Sequence, residues 1–420
     1  MDKTFAEKIL AKYGEKKQVE PGEIVTVSPD HLLTHDNTAP ITDKIKDELN
    51  EYGLCSSALP VIVLDHVVPA ASEKTATNHQ IIREFVEKQD IENFFDAGVG
   101  VCHQVIVEKG LALPGKLVVG SDSHTCSYGA VGCFSTGIDR TEAASIMLTC
   151  ETWLKVPESA KIVLNGSLPS GVYPKDLILD IIGDVSASGM NYQSVEYHGD
   201  VKQFSVDERF TICNMGVEMG AKNSVFPFDK ATKKFLDDLD VKEDEYDVVQ
   251  PDKNASYKKQ IDYDLSNVSP VIACPHSVDN VKTVEELEGL TVDQCLIGTC
   301  TNGRFSDLKK AAEILKNQSV HPDVRLLVAP ASKEIYQKAL KNGLLEIFVK
   351  AGGIILPPGC GPCLGAHQGC LAPSERCIST ANRNFKGRMG CKDAEIYLGS
   401  PATVASAAIH GEIVDPREEV

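Results

Sequence analysis

Three kinds of side chain recur in this sequence at spacings that could do chemistry. The first is thiol: Cys360-Gly361-Pro362-Cys363 is a C-x-x-C, and Cys300 precedes it in Thr299-Cys300-Thr301-Asn302. A lone C-x-x-C reads equally well as a redox dithiol, half a zinc site or two core cysteines. A structural zinc site wants four nitrogen or sulfur ligands, yet there is no second C-x-x-C, and Cys370 and Cys377 are too far apart to form one. A thioredoxin-type motif follows a strand and opens a helix, whereas this one is crowded by Gly359, Gly361 and Gly365. Such glycines let backbone pack round a bulky inorganic core and let amides reach its sulfides. Three thiolates on a four-iron cluster would leave one iron open as a Lewis acid.

The second kind pairs carboxylates with imidazoles: Asp65-His66, His103, Asp122, His124 and Glu218. A carboxylate that accepts from one ring nitrogen fixes the tautomer and raises the basicity of the other. A positioned imidazolium could then protonate a leaving hydroxyl. Taken singly, each histidine reads as a satisfied packing residue, and His79, His198, His321 and His410 stay in that class. The third kind is the pair Arg383 and Arg388, whose planar forks suit carboxylates. Asn382 and Asn384 flank Arg383, and Ser123 and Asn214 complete a polar lining. Without those neighbours Arg388 would read as a surface arginine.

These residues follow short apolar runs. Val61–Leu64 leads into Asp65-His66, and Leu117–Gly120 into Ser121-Asp122-Ser123-His124. Cys295–Gly298 leads into Thr299-Cys300, and Ile354–Leu356 into Pro357-Pro358-Gly359-Cys360. Continuous apolar runs suit strands buried on both faces of a parallel sheet. Helix-like stretches lie between them, such as 306–317 with Ser306-Asp307 as cap. The alternation predicts an α/β fold with ligands at the carboxyl ends of the strands. The pattern shifts around Trp153–Ser159, and a new apolar run starts at Lys161–Leu164. The charged stretch 238–264 reads as an exposed excursion. Three domains are expected, over 1–155, 156–282 and 283–420, the last carrying the cysteines.

At 420 residues, with 42% hydrophobic and 6% aromatic residues, several modest α/β cores are expected. The net charge of −18, from 42 basic and 60 acidic residues, disfavours nucleic acid. No signal peptide or membrane span is visible, so a cytoplasmic protein with no membrane partner is expected. Fourteen cysteines in a long chain without a leader do not read as a disulfide framework. Cys55, Cys150, Cys213, Cys274 and Cys295 read as small core residues.

The motifs together resemble the aconitase and isopropylmalate dehydratase family. The match runs from Thr34-His35-Asp36-Asn37 to Ile413-Val414-Asp415-Pro416-Arg417. It takes in Cys102-His103-Gln104, Ser121–Thr125, Cys213–Glu218, Thr299–Arg304, Gly359–Gly365 and Asn382–Arg388. It departs at Ser127-Tyr128, where many relatives have Thr-His, and at Asp139-Arg140, where they have Gly-Ser. The resemblance implies α/β/α domains around one 4Fe–4S cluster held by Cys300, Cys360 and Cys363. Asp65, His66, His103, Asp122, His124 and Glu218 would be the catalytic set, and Ser123, Asn214, Asn382, Arg383 and Arg388 the substrate-binding set. It implies a hydro-lyase acting on a hydroxy-di- or tricarboxylate, with 3-isopropylmalate, a leucine-biosynthesis intermediate, favoured over homoaconitate and 2,3-dimethylmalate. The fourth, swivel domain of full-length aconitases is expected on a separate small subunit of the isopropylmalate dehydratase type. A cluster-sensing RNA-binding regulator is the alternative, and the acidic balance opposes it. A zinc- or disulfide-stabilised structural protein would leave the His/Asp set and the arginines unexplained.

Overall fold

The computed structural model describes residues 2–419. Three sheets carry the architecture. The first is five-stranded and parallel, ordered Asn93–Phe95, Pro60–Val63, His31–Thr34, Leu117–Gly120, Phe134–Gly137. The second is four-stranded and parallel, ordered Asn223–Val225, Ser194–Gly199, Ser159–Asn165, Lys259–Asp264. The third is seven-stranded. Its parallel part runs Glu395–Leu398, Arg376–Ser379, Gln294–Gly298, Arg325–Ala329, Ile354–Ile355, and Val271–Ala273 and Val281–Thr283 are added antiparallel at one edge. The apolar runs are buried strands because both faces are covered: Val61, Ile62, Val118, Val119, Leu296 and Ile297 have no exposure.

In the first sheet the chain builds outward from His31–Thr34 in one direction, then returns through Leu117–Gly120 in the other. The third sheet does the same at Gln294–Gly298 and Arg376–Ser379. Crevices open at such reversals, beyond the carboxyl ends of the strands. Asp36 and Asp122 come after the first pair, and Cys300 and Asn382 after the second. Gly298 makes the Cys300 turn possible. Its φ is +136°, and a Cβ there would sit 2.0 Å from the Ala329 carbonyl oxygen.

Three expectations change. The helix expected over 306–317 spans Phe305–Leu315, and Asp307 bonds back to the Arg304 amide at 3.1 Å as the third helical residue. The stretch 238–264 ends in a paired strand, Lys259–Asp264, alternating enough to add an edge to the second sheet. Cys55 and Cys150 are not core thiols but a disulfide joining residues 95 apart in sequence. Both sit near the surface, where their backbones converge beside the helix Arg140–Thr149. Cys213, Cys274 and Cys295 are buried free thiols. Among the described residues, no helix is long and apolar enough to cross a membrane.

Candidate active site

One cavity is lined by Cys300, Cys360 and Cys363 together with His66, His103, Asp122 and His124. Asn382 and Arg388 also line it. Asp65 and Asn214 lie directly behind this lining, Glu218 and Arg383 beside it, and Ser123 in an adjoining groove with Val217 and Lys222.

The thiols are held by amide side chains and close backbone. Asn214 and Asn382 donate from Nδ2 to Cys300 Sγ at 3.4 and 3.3 Å, and Asn382 also donates to Asn214 Oδ1 at 3.0 Å. Arg388 Nη2 lies 3.5 Å from Cys363 Sγ. The Cys360 amide donates to the Asp65 carbonyl at 2.9 Å. This approach requires Gly359, where a Cβ would lie 2.8 Å from the same oxygen. Burial pushes the Cys300 thiol up to about 11, so ionisation there calls for a compensating cation.

Asp122 is the hub of the imidazole side. It accepts from His103 Nε2 and from the His124 amide, both at 2.8 Å, and His66 Nε2 lies 3.4 Å away. Burial works against this carboxylate, but His103, with hydrogen bonds from His124 and His66, holds it well below the usual range. His66 Nδ1 bonds Asp65 at 2.6 Å, so both ring nitrogens face carboxylates. Burial lowers the His66 pKa, yet Cys360, Asp65 and Asp122 together hold it well above the usual imidazole range. His35 stacks on it with ring centroids 3.7 Å apart. Burial and the His66 charge push His35 down to about 4, so a neutral ring lies on a charged one. His124 Nε2 and Arg383 Nε share Glu218 Oε1, at 2.8 and 2.7 Å. Tyr128, one of the departures from the family pattern, holds His103 Nδ1 through its hydroxyl at 2.9 Å.

Two residues that have no assigned role in the sequence support this array. The Asp36 carboxylate accepts the amides of Asp65, His66 and Val67 at 3.0, 2.8 and 3.2 Å. Its remaining bond comes from His79 Nε2 at 2.8 Å. His79, expected to be structural, therefore reaches the turn that presents His66 through Asp36. Its signal in sequence is faint, a single histidine on the helix Glu73–Lys88. Asp36 stands in the Thr34–Asn37 motif, but nothing local points to its platform role.

The donor set fits a polynuclear iron–sulfur group better than a single ion. Among the described residues, the groups of metal-binding side chains whose ligand atoms all lie within 4.8 Å of one another are His35/Asp36/Asp65/His66 and His103/Asp122/His124. The three thiols share a cavity without drawing that close. Buried polar atoms without partners, Arg388 Nε and Thr299 Oγ1, mark positions a ligand could satisfy.

The same residues are matched by a known family pattern. That of the family described as "Aconitase family (aconitate hydratase)" covers residues 7–289 and 280–411. The chain belongs to the aconitase family. This aconitase-family chain is 48% identical, over 99% of both chains, to a protein of Methanopyrus kandleri named 3-isopropylmalate dehydratase large subunit 1. It is 49% identical to a protein of Methanosarcina mazei named probable methanogen homoaconitase large subunit, over 93% of this chain and 98% of that one. Its fold is similar to that of holo aconitase X from Thermococcus kodakaraensis, with TM-score 0.53 and 12% identity over 92% of each chain. That likeness bears on the fold alone.

Proposed function

We propose that this chain, an aconitase-family hydro-lyase, is a large subunit that dehydrates and rehydrates 3-isopropylmalate in leucine biosynthesis. The carrying observation is one cavity lined by three thiols and by carboxylate-flanked histidines together. The relatives named 3-isopropylmalate dehydratase large subunit, at 44–48% identity, support the substrate. Cys300, Cys360 and Cys363 would hold a 4Fe–4S cluster, which when bound supplies Lewis acidity toward a hydroxyl and a carboxylate.

The chain's own residues do the rest. His66, oriented by Asp65 and kept protonated, holds at Nε2 the proton destined for the leaving hydroxyl. Asp122 keeps His103 and His124 in fixed tautomers, and Asp36 fixes the turn that presents His66. Arg388, whose guanidinium meets no carboxylate among the described residues, takes a substrate carboxylate through its fork. Arg383, already paired with Glu218, serves a second carboxylate only with that pair's rearrangement. Asn382 completes the lining, Asn214 backs it, and Ser123 lies in the adjoining groove. Of the expected three domains, 1–155 and 283–420 supply the cavity lining, while 156–282 backs it through Asn214 and Glu218, with Val271–Ala273 and Val281–Thr283 crossing into the third sheet. A small subunit closes the site and supplies further groups, as the "large subunit" names of the relatives suggest.

The homoaconitase-named relative at 49% identity favours a second reading, in which the substrate carries a longer carboxyalkyl arm. The test is anaerobic purification with and without a co-expressed small subunit, followed by assays on 3-isopropylmalate and homoaconitate. Turnover of isopropylmalate only by the complex is expected. Preference for homoaconitate selects the second reading, and full turnover by the isolated chain overturns the subunit assignment.

A further inference from the structure

Lys175 is fully buried near the start of the helix Pro174–Val185, and the proposed chemistry makes no use of it. Its Nζ donates to the carbonyl oxygens of Thr380 and Ala381 at 3.0 and 2.7 Å, with Met215 Sδ at 3.7 Å. Among the described residues no carboxylate pairs with it. Buried cations normally find an anionic partner, because an isolated charge in a protein interior is costly. Here desolvation pulls the amine down to about 7, and the groups that favour its charge are, in order, Cys300, Cys363, Asp307 and Glu218. The two thiols Cys300 and Cys363 thus head the groups that favour its charge.

The carbonyls it holds belong to the turn after the strand Arg376–Ser379. Thr380 pins that turn to the cysteine turn from the other side: its Oγ1 accepts the Gly298 amide at 2.9 Å and donates to the Gly298 carbonyl at 3.2 Å. Directly beyond come Asn382, which donates to Cys300 Sγ, and Arg383, which binds Glu218. Asp176, the next residue, is buried as well and accepts the amides of Tyr173 at 2.9 Å and Val271 at 3.3 Å. It docks the helix start onto the third sheet, so Lys175 has little freedom to withdraw.

We propose that Lys175 is a positioning residue with two linked tasks: it fixes the Thr380–Arg383 turn against Cys300, and it places one buried positive charge behind the thiolate centre. The second task rests on the reading of Cys300, Cys360 and Cys363 as cluster ligands; the first does not. Positive charge close to an iron–sulfur centre favours its reduced form and its thiolates.

The test compares wild type with Lys175→Met, which keeps the length and loses both charge and bonds, and Lys175→Gln, which keeps a donor and loses the charge. Hydrogen exchange is measured on the cluster-free proteins, and the midpoint potential and rate of chelator bleaching on the anaerobically loaded ones. Hydrogen bonds from a charged group are the strong class, so the amides of 381–383 should exchange at least about tenfold faster in Lys175→Met. Those of Ser159–Asn165 should be unchanged. The potential should fall in both variants, whereas Lys175→Gln should recover part of the exchange protection. Wild-type protein that takes up no cluster refutes the ligand reading, and the exchange experiment then still decides the positioning task. Loaded wild type and variants with equal potentials and equal exchange overturn the proposal. If Lys175→Met does not fold, Lys175→Gln with wild-type potential does so alone.

Discussion

Replacing Asp36 by asparagine isolates the platform under His66. The Asp36 Oδ2 accepts two amides, of Asp65 and His66, and Oδ1 accepts the Val67 amide and His79 Nε2. Asparagine keeps one oxygen. Its best orientation leaves that oxygen on Asp65 and His66 and turns the NH₂ toward Val67 and His79. His79 can adapt by changing tautomer, but the Val67 amide loses its acceptor and the two surviving bonds lose their charge. Hydrogen bonds to ionised groups are worth about 1.5–3 kcal/mol each, so a net loss of roughly 2–4 kcal/mol is expected. The pH dependence gives a second check. Burial opposes ionisation of Asp36, but His79 and the His66 amide hold its carboxyl well below the usual range. The folded state therefore binds fewer protons there than the unfolded state. The stabilisation is complete above the unfolded carboxyl pKa of about 4 and is lost as pH falls toward the native value. Denaturant midpoints of cluster-free wild type and Asp36→Asn should differ most near neutrality and converge in acid. Equal midpoints at neutral pH, or a gap that acid leaves unchanged, refute the reasoning.

Serine at Cys300, Cys360 or Cys363 should abolish the brown chromophore with its iron and sulfide, whereas serine at Cys370, Cys377 or Cys391 should leave both; bleaching by Cys391→Ser with retention by Cys300→Ser would reverse the ligand assignment. His66→Ala should lower kcat by about 10²–10⁴-fold with iron content intact, the range general acids contribute. Arg388→Ala should mainly raise KM, since it removes binding shared by ground and transition states. Near-normal kcat in His66→Ala, with loss in His103→Ala or His124→Ala, would move the acid role. Peptide mapping without reductant should recover Cys55 linked to Cys150, and Cys55→Ser should cost about 2–4 kcal/mol of stability without altering iron content; two alkylatable thiols in oxidised protein would exclude the bond.

The legible part of this molecule is the part written in local sequence. Strand ends can be found because a parallel strand buried on both faces is a continuous apolar run, and Leu117–Gly120 and Cys295–Gly298 need no tertiary information. The polar residues immediately after each run carry the chemistry, so most of the cavity lining is visible in one dimension. The supporting residues depend on a different kind of fact. Lys175 sits in a run, Pro174-Lys175-Asp176-Leu177, whose charged pair resembles an ordinary solvated first turn. Its amine is covered by a strand end from the third sheet, some two hundred residues on in sequence, and by Met215. His79 lies on a helix whose mean character is polar, and only its depth beneath Asp36 distinguishes it from its neighbours. Cys55 and Cys150 look like core thiols because a disulfide is a statement about two distant backbones, not about either flank. In each case the missing quantity is distance across the fold. The same holds for catalysis: the sequence can nominate three histidines for one proton, but their partners separate them. His103 has Tyr128 on its second nitrogen, His66 and His124 each have a carboxylate at both, and His66 adds the Cys360 thiol among the groups that favour its charge.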